Sequence, residues 1–135
     1  MKNITKEWLA LAKSDLLAAE RLLSEPALTN IVAFHAQQAV EKSMKAVVEE
    51  LGLGVIKTHN LVRLCELIRP HLSIVSDWDM LDRLDAVYIE ARYPGDLGLL
   101  PFGKPSQEEA KIYFDFAVDI FNQILLALES HHSEY

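Results

Sequence analysis

The stretch Phe34-His35-Ala36-Gln37-Gln38-Ala39-Val40-Glu41-Lys42, followed by Lys45, holds an unusual set of side chains for one helix face. In a helix, His35, Gln38, Lys42 and Lys45 stand at i, i+3, i+7 and i+10 and share a narrow stripe. An imidazole, an amide and two ammonium groups in line can present donors and positive charge to a phosphate or a protein partner. In such a strip lysines act as mobile point charges, and histidine is the side-chain type that changes charge near neutral pH. A solvated polar face that happens to include a histidine fits the spacing equally well. The opposite side carries Val32, Ala36, Ala39, Val40 and Val47, small residues suited to close helix packing. Ile31 and Phe34 project beside the polar stripe, and apolar groups in that position suggest a contact with another protein.

Four further residues extend the candidate site. His59 stands in Thr58-His59-Asn60-Leu61 at the expected start of a short helix, where His59 or Asn60 can serve a ligand or simply satisfy free backbone groups. Arg92 and Tyr93 come immediately before Pro94. Arg92 suits a bidentate grip on phosphate and Tyr93 suits stacking on a base. The alternative is a favourable charge at a helix C-terminus with an aromatic packed at a bundle end. Asp15, a carboxylate in an otherwise apolar stretch, is a rim residue or a partner that orients Lys42 or Arg92. No His-x3-His pair is present to begin a metal site, and His131 and His132 read as a tail remnant, so no metal and no cofactor is expected. The lone Cys65, among Leu61, Leu64 and Ile68, reads as a small core residue.

The elements that must position these groups are helical. The first helix is predicted from about Thr5 to Ser24, with Trp8, Ala12, Leu16, Ala19 and Leu23 on a helical spacing and Pro26 ending it. Thr29 is expected to cap a second helix that runs to about Leu51 and stops at Gly52-Leu53-Gly54. Asn60 or Thr58 opens a short third helix, stopped by Pro70, and Asp77 caps a fourth with Trp78, Leu81, Leu84, Tyr88 and Ala91. Gly95 to Pro105, eleven residues with three Gly and two Pro, is expected to be the least ordered part. Ser106-Gln107-Glu108-Glu109 is a capping box opening a last helix through Tyr113, Phe114, Phe121 and Leu128. The chain is expected to be all-α, an up-and-down bundle of four long helices plus one short one. One domain over residues 1–135, with an ordered core at about 5–129, accounts for its length.

Composition narrows the function. Thirteen basic against twenty acidic residues give a formal charge of −7, which disfavours extended, sequence-independent binding to a polyanion but permits a local basic pocket. No signal peptide or membrane span is expected, and a single cysteine fits a reducing cytoplasm.

The ordered set Ala12-Lys13-Ser14-Asp15-Leu16, the Phe34 to Lys45 run, Thr58-His59-Asn60-Leu61 and Tyr88-Ile89-Glu90-Ala91-Arg92-Tyr93-Pro94 resembles the HEPN family of small all-helical proteins of bacteria and archaea. The resemblance runs from about Trp8 to about Leu128. It implies a five-helix domain, commonly a homodimer, in many cases encoded beside a minimal nucleotidyltransferase as a toxin and antitoxin pair. Nucleotide binding is one activity the resemblance implies and ribonuclease activity is another. The nuclease members carry an Arg, four to six intervening residues and then a His at the end of the fourth helix. Arg92 matches the Arg, but Leu97, Gly98 and Leu99 stand where the His would fall, and none of Arg21, Arg63, Arg69 or Arg83 has a His at that spacing. Arginine alone cannot move protons, because it stays charged. The expectation is therefore a nucleotide- or partner-binding protein that does no chemistry alone, its site lined by His35, Gln38, Lys42, Lys45, His59, Arg92 and Tyr93 with Asp15 in support. One alternative is a metal-independent ribonuclease using Arg92 with His35 or His59. Another is a dimeric interaction module with no ligand.

Overall fold

The computed structural model describes residues 1–74, 76–92 and 104–133, with residues 90–92 and 132–133 described by backbone alone. Five α-helices follow one another: α1 Asn3–Leu22, α2 Thr29–Glu50, α3 Leu61–Ile68, α4 Trp78–Arg92 and α5 Gln107–Ser133. No strand occurs among the described residues. The expected all-α bundle is the observed one.

Local chemistry explains where the helices start and stop. The Asn60 side chain accepts from the Arg63 amide and opens α3, while Asp77 accepts from the amides of Asp79 and Met80 and opens α4. The Ser106 amide donates to the Glu109 carboxylate and the Glu109 amide to the Ser106 hydroxyl, both at 3.0 Å, the capping box at the head of α5. At the end of α2 the Leu53 amide reaches the Val48 carbonyl across Gly52, whose φ of 62° is the left-handed turn that glycine makes without strain. Thr29 is not a cap. A one-turn 3-10 helix, Pro26–Leu28, runs directly into α2, so Thr29 is already helical and buried, and no side chain caps that end. Helix α1 also ends earlier than expected, at Leu22.

The central element is α2, which packs against each of the other four helices. Thirteen of its twenty-two residues are buried, too many for a wide solvent face. Helix α1 runs antiparallel to it: Thr5 and the Lys2 amide bond to Glu50 at one end, and Asp15 meets His35 and Lys42 toward the other. The core fills between α2 and the others with Met44, Leu61, Leu64, Ile68, Leu81, Leu84, Ile124 and Leu128, all fully buried, and Cys65 lies there as a buried free thiol.

The loop expected to be least ordered lies outside the described residues except for Lys104 and Pro105. Lys104 donates to the Ala27 carbonyl, 2.6 Å away. Tyr93 and the Arg92 side chain also lie outside them.

Candidate functional site

Two carboxylates organise the polar edge of α2. Asp15, from α1, accepts from His35 Nδ1 at 2.9 Å with one oxygen and from Lys42 Nζ at 2.7 Å with the other. Glu41, within α2, accepts from Lys45 Nζ at 3.0 Å and from His59 Nδ1 at 3.1 and 3.2 Å. Gln37 completes the second cluster, donating to Glu41 at 3.3 Å and to the His59 carbonyl at 3.2 Å, and its own oxygen accepts from Gln38 at 2.7 Å. Each carboxylate thus bridges one lysine and one imidazole. An ionised carboxylate can only accept, so in each neutral imidazole the proton sits on Nδ1 and Nε2 carries the lone pair.

The expectation of mobile lysines on an exposed stripe is corrected by this geometry. Side-chain exposure is 22% at Lys42 and 13% at Lys45, and the partner Glu41 is 4% exposed. Lys45 also lies 5.6 Å from the centre of the Trp8 ring. The reason is the helix packing: α1 covers one flank of the polar stripe, and the segment leading into α3 covers the other. The two lysines are therefore fixed and neutralised. Among the described residues no local basic pocket is built from them, because their charges are matched by Asp15 and Glu41.

What remains accessible is mostly imidazole, because the two aromatic rings between the histidines are half-buried at Phe34 and buried at Tyr88. His59 stacks on Tyr88 of α4 with ring centres 4.9 Å apart, Tyr88 is parallel to Phe34 at 6.2 Å, and Phe34 meets His35 edge-on at 5.9 Å. The four rings join the two carboxylate clusters. His59 is half exposed and His35 is 27% exposed, so both present part of their rings to solvent. Phe34 is accordingly a member of this array, half-buried inside the molecule, rather than a free apolar group, and Ile31 is half-buried as well.

The structure brings together Asp15, His35, Gln38, Lys42, Lys45 and His59. Arg92 is the last residue of α4, one turn beyond Tyr88, so its backbone ends the helix that supplies the central ring. Sequence reasoning missed Glu41, Gln37 and Tyr88 as site members. The only signal was register: Gln37, Glu41 and Lys45 stand four residues apart along one line of α2.

A third carboxylate lies behind the rings. Asp85 of α4 is buried and its Oδ1 accepts from the Leu61 amide at 2.8 Å, tying the start of α3 to α4. Its other oxygen has no partner among the described residues. Burial pushes this carboxyl above the usual aspartate range, against the downward pull of the Leu61 and Val62 amides, with like charge on Asp82 and Glu41 adding to the rise. No group of three or more His, Cys, Asp or Glu among the described residues is arranged to hold a metal ion.

The family model described as HEPN domain matches residues 5–127. The crystal structure of an archaeal HEPN homologue superposes with a TM-score of 0.66 at 20% identity, covering 95% of this chain and 99% of that one, a likeness of fold. No functionally curated protein matches the chain.

Proposed function

The chain belongs to the HEPN domain family, and from that premise we propose that it binds a nucleotide at the ring array of α2 and α4 and performs no chemistry alone. The observation that carries this reading is the stack of His59, Tyr88 and Phe34 with His35 at its edge, held by two buried carboxylates. Planar rings accept a base, and the Nε2 lone pair of each neutral imidazole can accept from a ribose hydroxyl. Arg92 would add the charge that the neutralised lysines do not supply and Tyr93 a further ring, with Gln38 as another polar group of the site. The proposed setting is a cytoplasmic two-component system of the toxin and antitoxin type, in which a homodimer of this chain, one domain throughout, meets a minimal nucleotidyltransferase.

Calorimetric titration of ATP and of a short RNA into the wild type, Arg92→Lys and Arg92→Ala tests the reading. Arg92→Ala is expected to weaken binding by about 1.5–3 kcal/mol, the range for a hydrogen bond to a charged group, and Arg92→Lys by less. A wild type that binds neither at millimolar concentration would remove the nucleotide reading and leave a protein-interaction module.

One observation favours a second reading, a ribonuclease without metal. Carboxylate–imidazole pairs such as Asp15–His35 and Glu41–His59 orient a base for proton transfer, and both lie along the array that leads to Arg92. Cleavage of RNA in chelator, abolished by His59→Gln or Arg92→Ala, would establish it in place of the binding role.

A further inference from the structure

Two side-chain amides on the polar edge of α2 are fixed in direction by groups that only accept. Gln37 is fully buried, and its Nε2 donates to the Glu41 carboxylate at 3.3 Å and to the His59 carbonyl at 3.2 Å. A backbone carbonyl has no proton to give, so the nitrogen of Gln37 faces it and the oxygen faces Gln38. Gln38, half-buried, turns its own nitrogen to that oxygen at 2.7 Å. What remains is Gln38 Oε1, which accepts from no group among the described residues. Turning Gln38 over would set two amide oxygens against each other, and Gln37 cannot turn with it without aiming its oxygen at a carbonyl and a carboxylate. We infer that Gln38 selects the base: its locked oxygen takes an exocyclic amino group, so the site prefers adenine or cytosine to a base with a carbonyl in that place, such as hypoxanthine or uracil. The inference rests on the nucleotide-binding reading above.

The chain of bonds ends beside the rings. Gln38 stands four residues after Phe34, one turn along the same side of α2. The carbonyl that orients Gln37 belongs to His59, whose ring is half exposed. In this site a base lies against the exposed part of His59 and turns its edge to Gln38. An unrestrained glutamine offers either end of its amide and so reads amino and carbonyl edges alike. Here the network removes one of the two choices. A carbonyl on the base then meets the oxygen of Gln38 with no proton between them, a repulsion that rejects the wrong ligand in addition to the bond that holds the right one.

ATP and ITP are suitable probes, because they share ribose and phosphates and differ only in the amino or carbonyl edge of the purine. Calorimetric titration of the wild type should show ATP binding at least about tenfold more tightly than ITP, the scale of one well-made contact to a base edge. Gln38→Ala should weaken ATP and bring the two nucleotides within about threefold of each other, as expected once that contact is gone. Gln37→Met keeps Gln38 but frees its amide to turn, so it should also narrow the ratio. A merely structural part for Gln37 would weaken both nucleotides alike and leave the ratio unchanged, which would count against the locked amide. Should this buried substitution fail to fold, Gln38→Ala on the half-buried edge decides alone. Equal affinity of the wild type for ATP and ITP, or a preference that survives Gln38→Ala, overturns the selection while leaving the nucleotide reading in place. A wild type that binds neither at millimolar concentration removes both.

Discussion

Glu41 is the residue on which the polar edge of α2 depends most, since Gln37, Lys45 and His59 all donate to it. It is nearly sealed from water, and so is Lys45. Removing one member of such a pair leaves the other charge buried without compensation, so Glu41→Ala is expected to lower unfolding stability by about 3 kcal/mol in urea titrations. Lys111 and Asp115 form an i,i+4 pair on α5 that is more than half exposed, and Lys111→Ala should cost under about 1 kcal/mol by the same measurement. Comparable losses at the two sites would contradict the assignment of Glu41 as a buried organiser. Asp15 was legible in the sequence because a carboxylate in an apolar run asks for a partner, and it has two. Glu41 was not legible. A glutamate four residues before a lysine is the ordinary signature of a solvated helix pair, and only the cover supplied by α1 and by the segment around His59 makes it otherwise.

At the scale of elements, the helix ends were the most readable feature and the faces the least. Asn60, Asp77 and the Ser106–Glu109 box act on their own backbones within three residues, so their role survives any tertiary arrangement. The exposure of the α2 stripe depends on what four other helices do, and spacing along one helix does not contain that. Asp85 illustrates the same limit: a carboxylate in α4 turns out to anchor the head of α3. Its folded-state pKa is raised, chiefly by burial, so the unfolded chain releases this proton first as pH increases. Its stabilising contribution is complete below the ordinary aspartate value of about 3.9 and is lost as pH rises through the higher folded value. Asp85→Asn cannot ionise. The stability of the wild type minus that of Asp85→Asn should therefore decline with pH across that window and then level off, as urea midpoints at a series of pH values would record. A difference that is flat or climbs with pH would show that the burial of this carboxyl has been misjudged.

For the molecule as a whole, the fold was legible because five amphipathic segments, each with its own start and stop, leave few ways to bury their faces. Where apolar surface would remain was less so. Ile31 and Phe34 suggested a dimer contact, yet the large exposed apolar side chains of the helices are Ile4, Leu11 and Leu17 on α1, Ile89 on α4, and Ile112 and Leu126 on α5. Self-association through one of these faces would be isologous, each copy covering the same patch on the other. Light scattering at tens of micromolar protein should then give twice the 15.3 kDa chain mass, and a monomer mass would count against the dimer. Among the described residues no helix is long and apolar enough to cross a membrane. Whether the rings of α2, α4 and the segment before α3 form the ligand site can be read by titrating ATP into isotope-labelled protein and following its amide and imidazole resonances. Shifts should centre on His35, His59, Tyr88 and Arg92, with α5 beyond Phe121 unmoved. Shifts confined to α5, or none at millimolar ATP, would contradict it.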